Sequence, residues 1–376
     1  MFVRKSYKFR LYPTKKQAGL FQKTLDECRW LYNYLLEQRK LAYEELEISL
    51  TKIQQMMFLT ELKIDRPGLL TVHSQVLQEI VTRLDKAFQN FFRRCKSGGK
   101  PGFPRFRGYD RYNSFCYSQS GFDLTDKELK LSKIGKVRVV QHREIEGKIK
   151  TCTIIRESNK WYVCLSCEVE SKALPNNNKA VGIDLGLENF ATLTDETFID
   201  NPRFFKKSEK ALTKVQRKLS KCEKGTPERK KRKKAVAKVH ARIRNQRADF
   251  CHKISRNIVN EYQYICVEDL SISKMMQDSY LAKSIADVSW NQFVQMLTYK
   301  AAEAGRKLGL VNPAYTSQKC NKCDNYEYKT LSQRMHICTS CGYITHRDVN
   351  ASHNVLALGL DGLGICPRSL RLKARE

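Results

Sequence analysis

No stretch of this sequence approaches the ~20 consecutive apolar residues that a helix needs to cross a bilayer, so a membrane-spanning role is not expected. Acidic residues are scarce: 39 Asp and Glu stand against 69 Lys and Arg, a formal net charge of +30 over 376 residues. A surplus of that size repels itself in a compact chain unless a polyanion screens it. Nucleic acid is therefore the expected partner, ahead of an anionic membrane. The opening Met1-Phe2-Val3-Arg4-Lys5 runs straight into an alternating segment and offers no apolar core of a signal peptide. The expected location is the cytoplasm, on the nucleoid. Without a secretion signal, and in a chain this long, the fourteen cysteines do not read as a disulfide framework. Ten of them, Cys28, Cys164 and Cys266 included, are scattered through apolar or mixed segments and are expected to be buried free thiols.

What is present suits a globular chain of two or three domains, with 41% hydrophobic and 10% aromatic residues. Tyr7–Pro13 alternates and stops at the proline. From Thr14, a candidate N-cap, Leu20, Phe21, Leu25, Cys28, Leu31 and Leu35 form one helical stripe. A helical hairpin or bundle is expected to continue to about Cys95, with breaks near Ile48–Leu50 and at Asp65–Gly68. Lys96–Gly108 is a loop dense in Gly, Pro, Lys and Arg, with Phe103 and Phe106 interleaved. Its cations and rings suit RNA or single strands, or it is a linker whose phenylalanines dock on a neighbour. Ser114–Val169 reads as a series of short strands, the composition of a small β-barrel that the first strand could close. After the polar linker Ser171–Asn178, strands and helices alternate as in an α/β domain. Between Arg203 and Glu261 lies a basic helical pair, broken near Gly225–Pro227 and centred on the run Arg229–Lys234. Such a run is either a solvated face or a track for a phosphate backbone.

Three short segments carry candidate chemistry. In Ala180–Gly186, Asp184 follows an apolar strand and is flanked by glycines that admit a second backbone or a ligand. In Tyr264–Leu270 another apolar strand ends at Glu268 and Asp269, and in Thr345–Ala351 Asp348 opens a helix. Acids at the ends of adjacent strands and at a helix start can converge on one pocket. Two magnesium ions about 4 Å apart in such a pocket can activate water and stabilise the leaving oxygen of a phosphodiester. Singly, each acid is as readily a cap, a turn or a surface ion pair; all three in order within a basic chain favour a metal-dependent nuclease.

Cys320-Asn321-Lys322-Cys323 and Cys338-Thr339-Ser340-Cys341 are two CxxC knuckles separated by fourteen residues. Two such turns present four thiolates tetrahedrally, and zinc is the expected ion in a reducing compartment. Four protein ligands close the site, so one structural zinc is expected and no catalytic role for it. His336 and His346 are surplus ligands on this count and are expected at the surface or against nucleic acid.

Taken in order, Tyr7–Gln17 (YKFRLYPTKKQ), Lys86–Arg94 followed by Lys100–Gly108, VGIDLG, VEDL, YTSQKCNKC, CTSCGY and HRDVNASHN resemble the TnpB family. These are the OrfB-type proteins of bacterial insertion sequences, relatives of the type V CRISPR effectors. The resemblance covers nearly the whole chain. It implies an α+β multidomain fold: an RNase H-like (RuvC) α/β domain at 173–314 and 343–360 with an inserted zinc ribbon at 315–342. A wedge-like N-terminal β-barrel at 1–13 and 113–172 would carry a helical recognition insertion at 14–112, and 361–376 would form a flexible basic tail. The tail is expected to loosen from about Leu356.

The implied activity is that of a transposon-encoded, RNA-guided DNA endonuclease. It would use a guide RNA from the transposon end, a double-stranded DNA target with a short adjacent motif, and two Mg2+ ions. Asp184, Glu268 and Asp348 match the family's catalytic positions, and Cys320, Cys323, Cys338 and Cys341 its zinc ribbon. Two departures stand out: Asp324 follows Cys323 where glycine is common, and His346 stands where an acid is usual. Ser74, Gln75 and Gln78 are candidates for reading target-adjacent bases, although Ser74 could equally be a helix cap. Arg4, Lys8, Arg10, Lys100, Arg105 and Arg107 are candidates for phosphate contacts, which position nucleic acid without specifying its sequence. Two alternatives stay open: a guided DNA-binding repressor that does not cut, and a transposase acting directly on element ends. The sequence lacks the paired histidines expected of the partner transposase.

Overall fold

The computed structural model describes residues 2–158, 160–330 and 333–365. The contacts divide the chain after Glu170 into two compact units, each with its own core.

The first unit opens with strand β1 (Phe2–Tyr12), which starts five residues earlier than its alternation suggested. Tyr7, Phe9 and Leu11 point inward at 1% exposure or less, as period-two patterning requires. Helix α1 (Lys15–Leu46) begins at Thr14, whose side chain accepts from the Gln17 backbone while Gln17 answers on the Thr14 backbone. This reciprocal cap satisfies donors that the first turn leaves unpaired. The chain then passes through α2 (Lys52–Met57), α3 (Leu59–Asp65) and α4 (Ser74–Lys96). The apolar stripe of α4, Val76, Leu77, Ile80, Val81 and Leu84, packs with Phe21, Leu25, Cys28 and Leu31 of α1 in one core. The N-cap of α4 is His73 and not Ser74, which is the first helical residue.

Six more strands follow: β2 (Ser114–Tyr117), β3 (Phe122–Leu124), β4 (Glu128–Leu131), β5 (Gly135–Val140), β6 (Lys148–Glu157) and β7 (Lys160–Glu170). Strand β3 has only three residues and no apolar run, and it was not expected. All seven strands join one antiparallel sheet in the order β2-β6-β7-β1-β5-β4-β3. The first strand thus lies inside the sheet, pairing with β7 over ten residues and with β5 at its C-terminal end.

The second unit is built on a five-stranded sheet, β8 (Ala180–Asp184), β9 (Asn189–Leu193), β10 (Phe198–Asp200), β11 (Tyr264–Glu268) and β12 (Lys307–Val311), in the order β10-β9-β8-β11-β12. Strands β8, β11 and β12 are parallel and β9 and β10 antiparallel. Strands β8 and β11 are short apolar runs, as strands covered on both faces should be, whereas β12, at the end of the sheet, leaves Leu310 53% exposed. Helices α5 (Phe204–Ser220) and α6 (Pro227–Glu261) form the basic pair. They are followed by α7 (Ile272–Met275), α8 (Ala282–Val288) and α9 (Trp290–Glu303). A two-stranded ribbon, β13 (Met335–Ile337) and β14 (Ile344–His346), leads into α10 (Arg347–Gly362). The helix therefore runs past Leu356, where loosening was expected, because Val355, Gly359 and Leu360 are buried. The rest of the expected tail, 366–376, lies outside the described residues.

Candidate active site

Strands β8 and β11 pair with Ile183 opposite Val267. The next residues, Asp184 and Glu268, therefore close neighbouring parallel strands at the same end of the sheet. The third acid arrives on α10. Gly182, Cys266 and Gly309 form one rung across β8, β11 and β12, and α10 crosses that rung in backbone contact. A Cβ added to Gly182 would lie 2.0 Å from the Ser352 carbonyl oxygen, and one on Gly359 would lie 2.4 Å from the Cys266 Sγ. Only glycine permits this approach. Asp348 precedes Ser352 by one helical turn, about 6 Å, and Asp184 follows Gly182 by two residues, about 7 Å. Both acids sit a similar short step from one contact point.

The electrostatics report the same convergence. The Asp184 carboxyl is pushed well above the usual carboxylate range, first by burial, then by the charges of Glu268 and Asp348, with Arg347 opposing. Glu268, 5% exposed, is raised to about 6, chiefly by burial. Hydrogen bonds from the Thr316 hydroxyl and the Leu185 backbone oppose that rise, and the charge of Asp348 adds to it. Asp184 retains partial solvent access and the Asp348 side chain is 14% exposed, so the group opens to solvent. Mutually repelling, part-desolvated carboxylates are what a divalent cation stabilises. Their oxygen donors suit magnesium.

The four cysteines form the second site. Their sulfurs all lie within 4.8 Å of one another, with Cys320 to Cys341 at 3.8 Å and Cys323 to Cys338 at 3.5 Å. Four sulfurs about 2.3 Å from a tetrahedral zinc would be about 3.8 Å apart, so the set fits that ion. The knuckles are built alike. Cys320 N donates to Asn325 O and Asp324 N to Cys320 O; Cys338 N donates to Tyr343 O and Gly342 N to Cys338 O. Asp324 and Gly342 occupy the same left-handed position, φ 64° and 70°. Aspartate is among the few side chains that tolerate this conformation, and Lys319 pairs with its carboxylate at 2.8 Å. The departure from glycine is thus accommodated without loss of the turn.

His336 is fully buried with its Nε2 unpartnered, and its Nδ1 meets the Lys329 ammonium. It is not the surface residue expected. Its ring lies beside that of Tyr343, with the centroids 6.2 Å apart. His346 caps α10, its Nδ1 accepting from Asp348 N. Among the described cysteines outside the knuckles, six are buried, Cys164 and Cys222 are half-buried, and Cys95 is exposed in the last turn of α4, contrary to expectation; Cys366 lies outside the described residues.

The candidate nucleic-acid residues all lie in the first unit. Arg4, Lys8 and Arg10 alternate along one face of β1; Lys8 pairs with Glu157 at 2.8 Å, and Arg10 stacks over Tyr12 and Tyr162. Lys100, Arg105 and Arg107 are exposed, and Arg107 is held through its backbone by the Asn33 side chain. Phe103 docks against Phe88 and Phe91, whereas Phe106 is 54% exposed. On α4, Ser74 accepts from Lys63, Gln78 is exposed, and Gln75 accepts from the backbones of Gln119 and Ser120. Gln75 therefore has a structural task in the free protein.

Sequence reasoning missed several buried polar residues. Asp287 accepts from the Phe205 and Lys206 backbones and from Arg247, fixing the start of α5 against α6. Thr316, Asn350 and Asn354 are buried polar residues that join the knuckles to the carboxylates. The i, i+4 spacing of the two asparagines was the available signal.

The family comparisons bear on this geometry. Residues 163–279 match the OrfB_IS605 model, described as "Probable transposase". Residues 290–355 match the Cas12f1-like TNB domain, and 1–47 match the OrfB_IS605 helix-turn-helix domain. A Streptomyces pristinaespiralis protein with the provisional name RNA-guided DNA endonuclease is 34% identical, covering 95% of this chain and 90% of its own. The chain belongs to the TnpB/OrfB_IS605 family. Another relative, InsQ of Escherichia coli (strain K12), carries the same provisional name and is 30% identical over 94% of this chain and 92% of its own. The mixed α+β fold is similar to that of a Cas12f1 chain solved with its sgRNA and target DNA, with a TM-score of 0.61 at 12% identity, covering 94% of this chain and 98% of that one. In this TnpB-family chain the segment matching the helix-turn-helix model holds one strand and one long helix. No helix among the described residues is long and apolar enough to cross a membrane.

Proposed function

We propose that this protein is an RNA-guided DNA endonuclease encoded by a transposable element. Asp184, Glu268 and Asp348 are its metal-binding catalytic carboxylates. In this reading the second unit is an RNase H-like (RuvC) nuclease domain, and the four cysteines hold a structural zinc. The seven-stranded sheet of the first unit is a wedge-like barrel, and α1–α4 are the recognition insertion. Arg4, Lys8, Arg10, Lys100, Arg105 and Arg107 contact phosphates, and Gln78 contacts bases beside the target.

The observation that carries the reading is the convergence of the ends of β8 and β11 with the start of α10, near enough that the charges of Glu268 and Asp348 add to the rise of the Asp184 carboxyl and that of Asp348 adds to the rise of Glu268. The formal charge of +30 supports a polyanionic partner. The names of the two relatives supply the guided, DNA-cutting character. Magnesium bound by these acids would supply charge neutralisation and an acidified water at a phosphodiester. The chain's own residues hold the acids apart on separate elements and keep Glu268 oriented through Thr316 and the Leu185 backbone. Double-strand cleavage beside a short target-adjacent motif belongs to the same proposal.

The test is to sequence the RNA that co-purifies with the protein from a host carrying its native locus. A discrete RNA ending at the element boundary is expected. Heterogeneous cellular RNA, released by moderate salt, would overturn the guided part of the reading.

A further inference from the structure

Thr316 is 4% exposed, and its hydroxyl faces two oxygens, Glu268 Oε1 at 2.9 Å and Pro313 O at 3.1 Å. One proton serves both, and the nearer, charged carboxylate is the stronger acceptor. The residue before it, Tyr315, is held in the left-handed region at φ 64°, a conformation that a bulky side chain keeps only where its surroundings impose it. Those surroundings are explicit. Asn354 Nδ2 donates to Thr316 O at 2.8 Å and to Lys319 O at 2.7 Å. Asn350 Nδ2 also donates to Lys319 O, and its Oδ1 accepts from Asn321 N. The Lys329 ammonium donates to Ser317 O, and Arg347 reaches Ser317 Oγ. Both asparagines are buried, at 0% and 6% exposure, on α10, the helix whose first turn carries Asp348. Cys320, fully buried, lies within the same stretch and belongs to the sulfur cluster.

From this we infer that residues 316–321 are a mechanical link between the two metal sites. Thr316 is the positioning residue for Glu268, and zinc in the knuckles sets the affinity of the carboxylate site for its divalent ion. The inference rests on the reading of Glu268 as a metal ligand. Without zinc, the four thiolates lose the ion that fixes Cys320, and the peptides donated to by Asn350 and Asn354 lose one fixed end. The Thr316 hydroxyl then no longer holds the Glu268 carboxylate in one orientation. Groups that orient a ligand without touching the metal typically change affinity 10- to 100-fold. The coupling is reciprocal: an ion at the carboxylates tightens zinc by the same factor.

The experiment uses the full chain and Mn2+ as probe, with free Mn2+ read by its paramagnetic resonance signal and zinc content measured in parallel. Thr316→Val removes the hydroxyl and keeps the shape. With zinc retained, it is expected to weaken Mn2+ binding about tenfold, while Thr316→Ser stays within about twofold of the parent. Zinc removal by chelator is expected to weaken Mn2+ binding by a similar factor, with Thr316→Val adding less than about threefold in the stripped protein. Since Thr316→Val keeps its zinc, the first comparison does not depend on how the stripped ribbon folds. Mn2+ binding lost in Glu268→Gln but unchanged in Thr316→Val, or unchanged by zinc removal, overturns the coupling alone. Mn2+ binding that survives Glu268→Gln overturns the metal reading, and the coupling with it.

Discussion

Replacing Glu268 with glutamine keeps the shape of the side chain and removes a charge that the metal-free fold disfavours. Burial raises this carboxyl from about 4.5 to about 6 in the folded state. At about 1.4 kcal/mol per tenfold change, deprotonating it in the fold costs about 2 kcal/mol. The sign follows from linkage. A carboxyl whose folded pKa is raised imposes no penalty below about pH 4.5, acquires one as pH climbs through 6, and carries it in full above about pH 7. Glutamine can still accept from Thr316 and from the Leu185 backbone, so neither donor is orphaned. In metal-free protein at pH 8, Glu268→Gln is therefore expected to raise the Tm of the second unit by about 4–8 °C, using about 2–4 °C per kcal/mol for a unit of this size. At pH 4.5 the difference should vanish. Millimolar Mg2+ should raise the parent's Tm and leave the variant's unchanged. Differential scanning calorimetry across that pH range, with and without Mg2+, makes the measurement. An equal or lower Tm for the variant at pH 8, or a Mg2+ response that survives the substitution, would refute the reasoning.

Gly182→Ala places a methyl group 2.0 Å from the Ser352 carbonyl. It should lift α10 from the sheet at about 1–3 kcal/mol and abolish cleavage while all three acids remain, as thermal melts and a nuclease assay would register. Cys338→Ser leaves three thiolates in a four-sulfur site and should lower both zinc content and the Tm of the second unit; unchanged values would count against the zinc assignment. Asp324→Ala keeps a side chain at φ 64° without the local hydrogen bonding of aspartate and should cost about 1 kcal/mol. Asp324→Gly should be near neutral, since the Lys319 pair it breaks is exposed; urea titration of both variants makes the comparison. Asp287→Ala removes the acceptor for two α5 amides and leaves Arg247 unpaired. A loss of about 3–5 kcal/mol is expected, with hydrogen exchange rising first at the start of α5.

Much of this architecture was legible because it follows from local rules. Thr14 followed by Gln17 announces a helix start, the apolar runs 180–184 and 264–268 announce buried strands, and paired CxxC turns announce a tetrahedral site. The three acids could be named because each ends or begins such an element. What the sequence could not display is how distant pieces close on one another. Gly182 reads as a position that admits a second backbone or a ligand, but nothing in the sequence says that the Ser352 backbone of α10 is what passes there. His336 reads as a polar surface residue because nothing nearby in sequence tells that its ring is enclosed. Ser74 outranks His73 as a cap by propensity, yet the helix begins one residue earlier than that preference predicts, with His73 lying under Gly121 and beside Tyr117. Strand β3 is too short for periodicity to register and exists through its pairing with β4.

The central claim is that the three carboxylates cut DNA under the direction of a guide. It is tested most directly by combining the purified protein and its co-purifying RNA with Mg2+ and a duplex matching that RNA. Cleavage of both strands of the matched duplex is expected, with none of a mismatched one and none by Asp184→Ala. An intact matched duplex, or equal repression of a matched promoter by the parent and Asp184→Ala without cleavage by either, would contradict it.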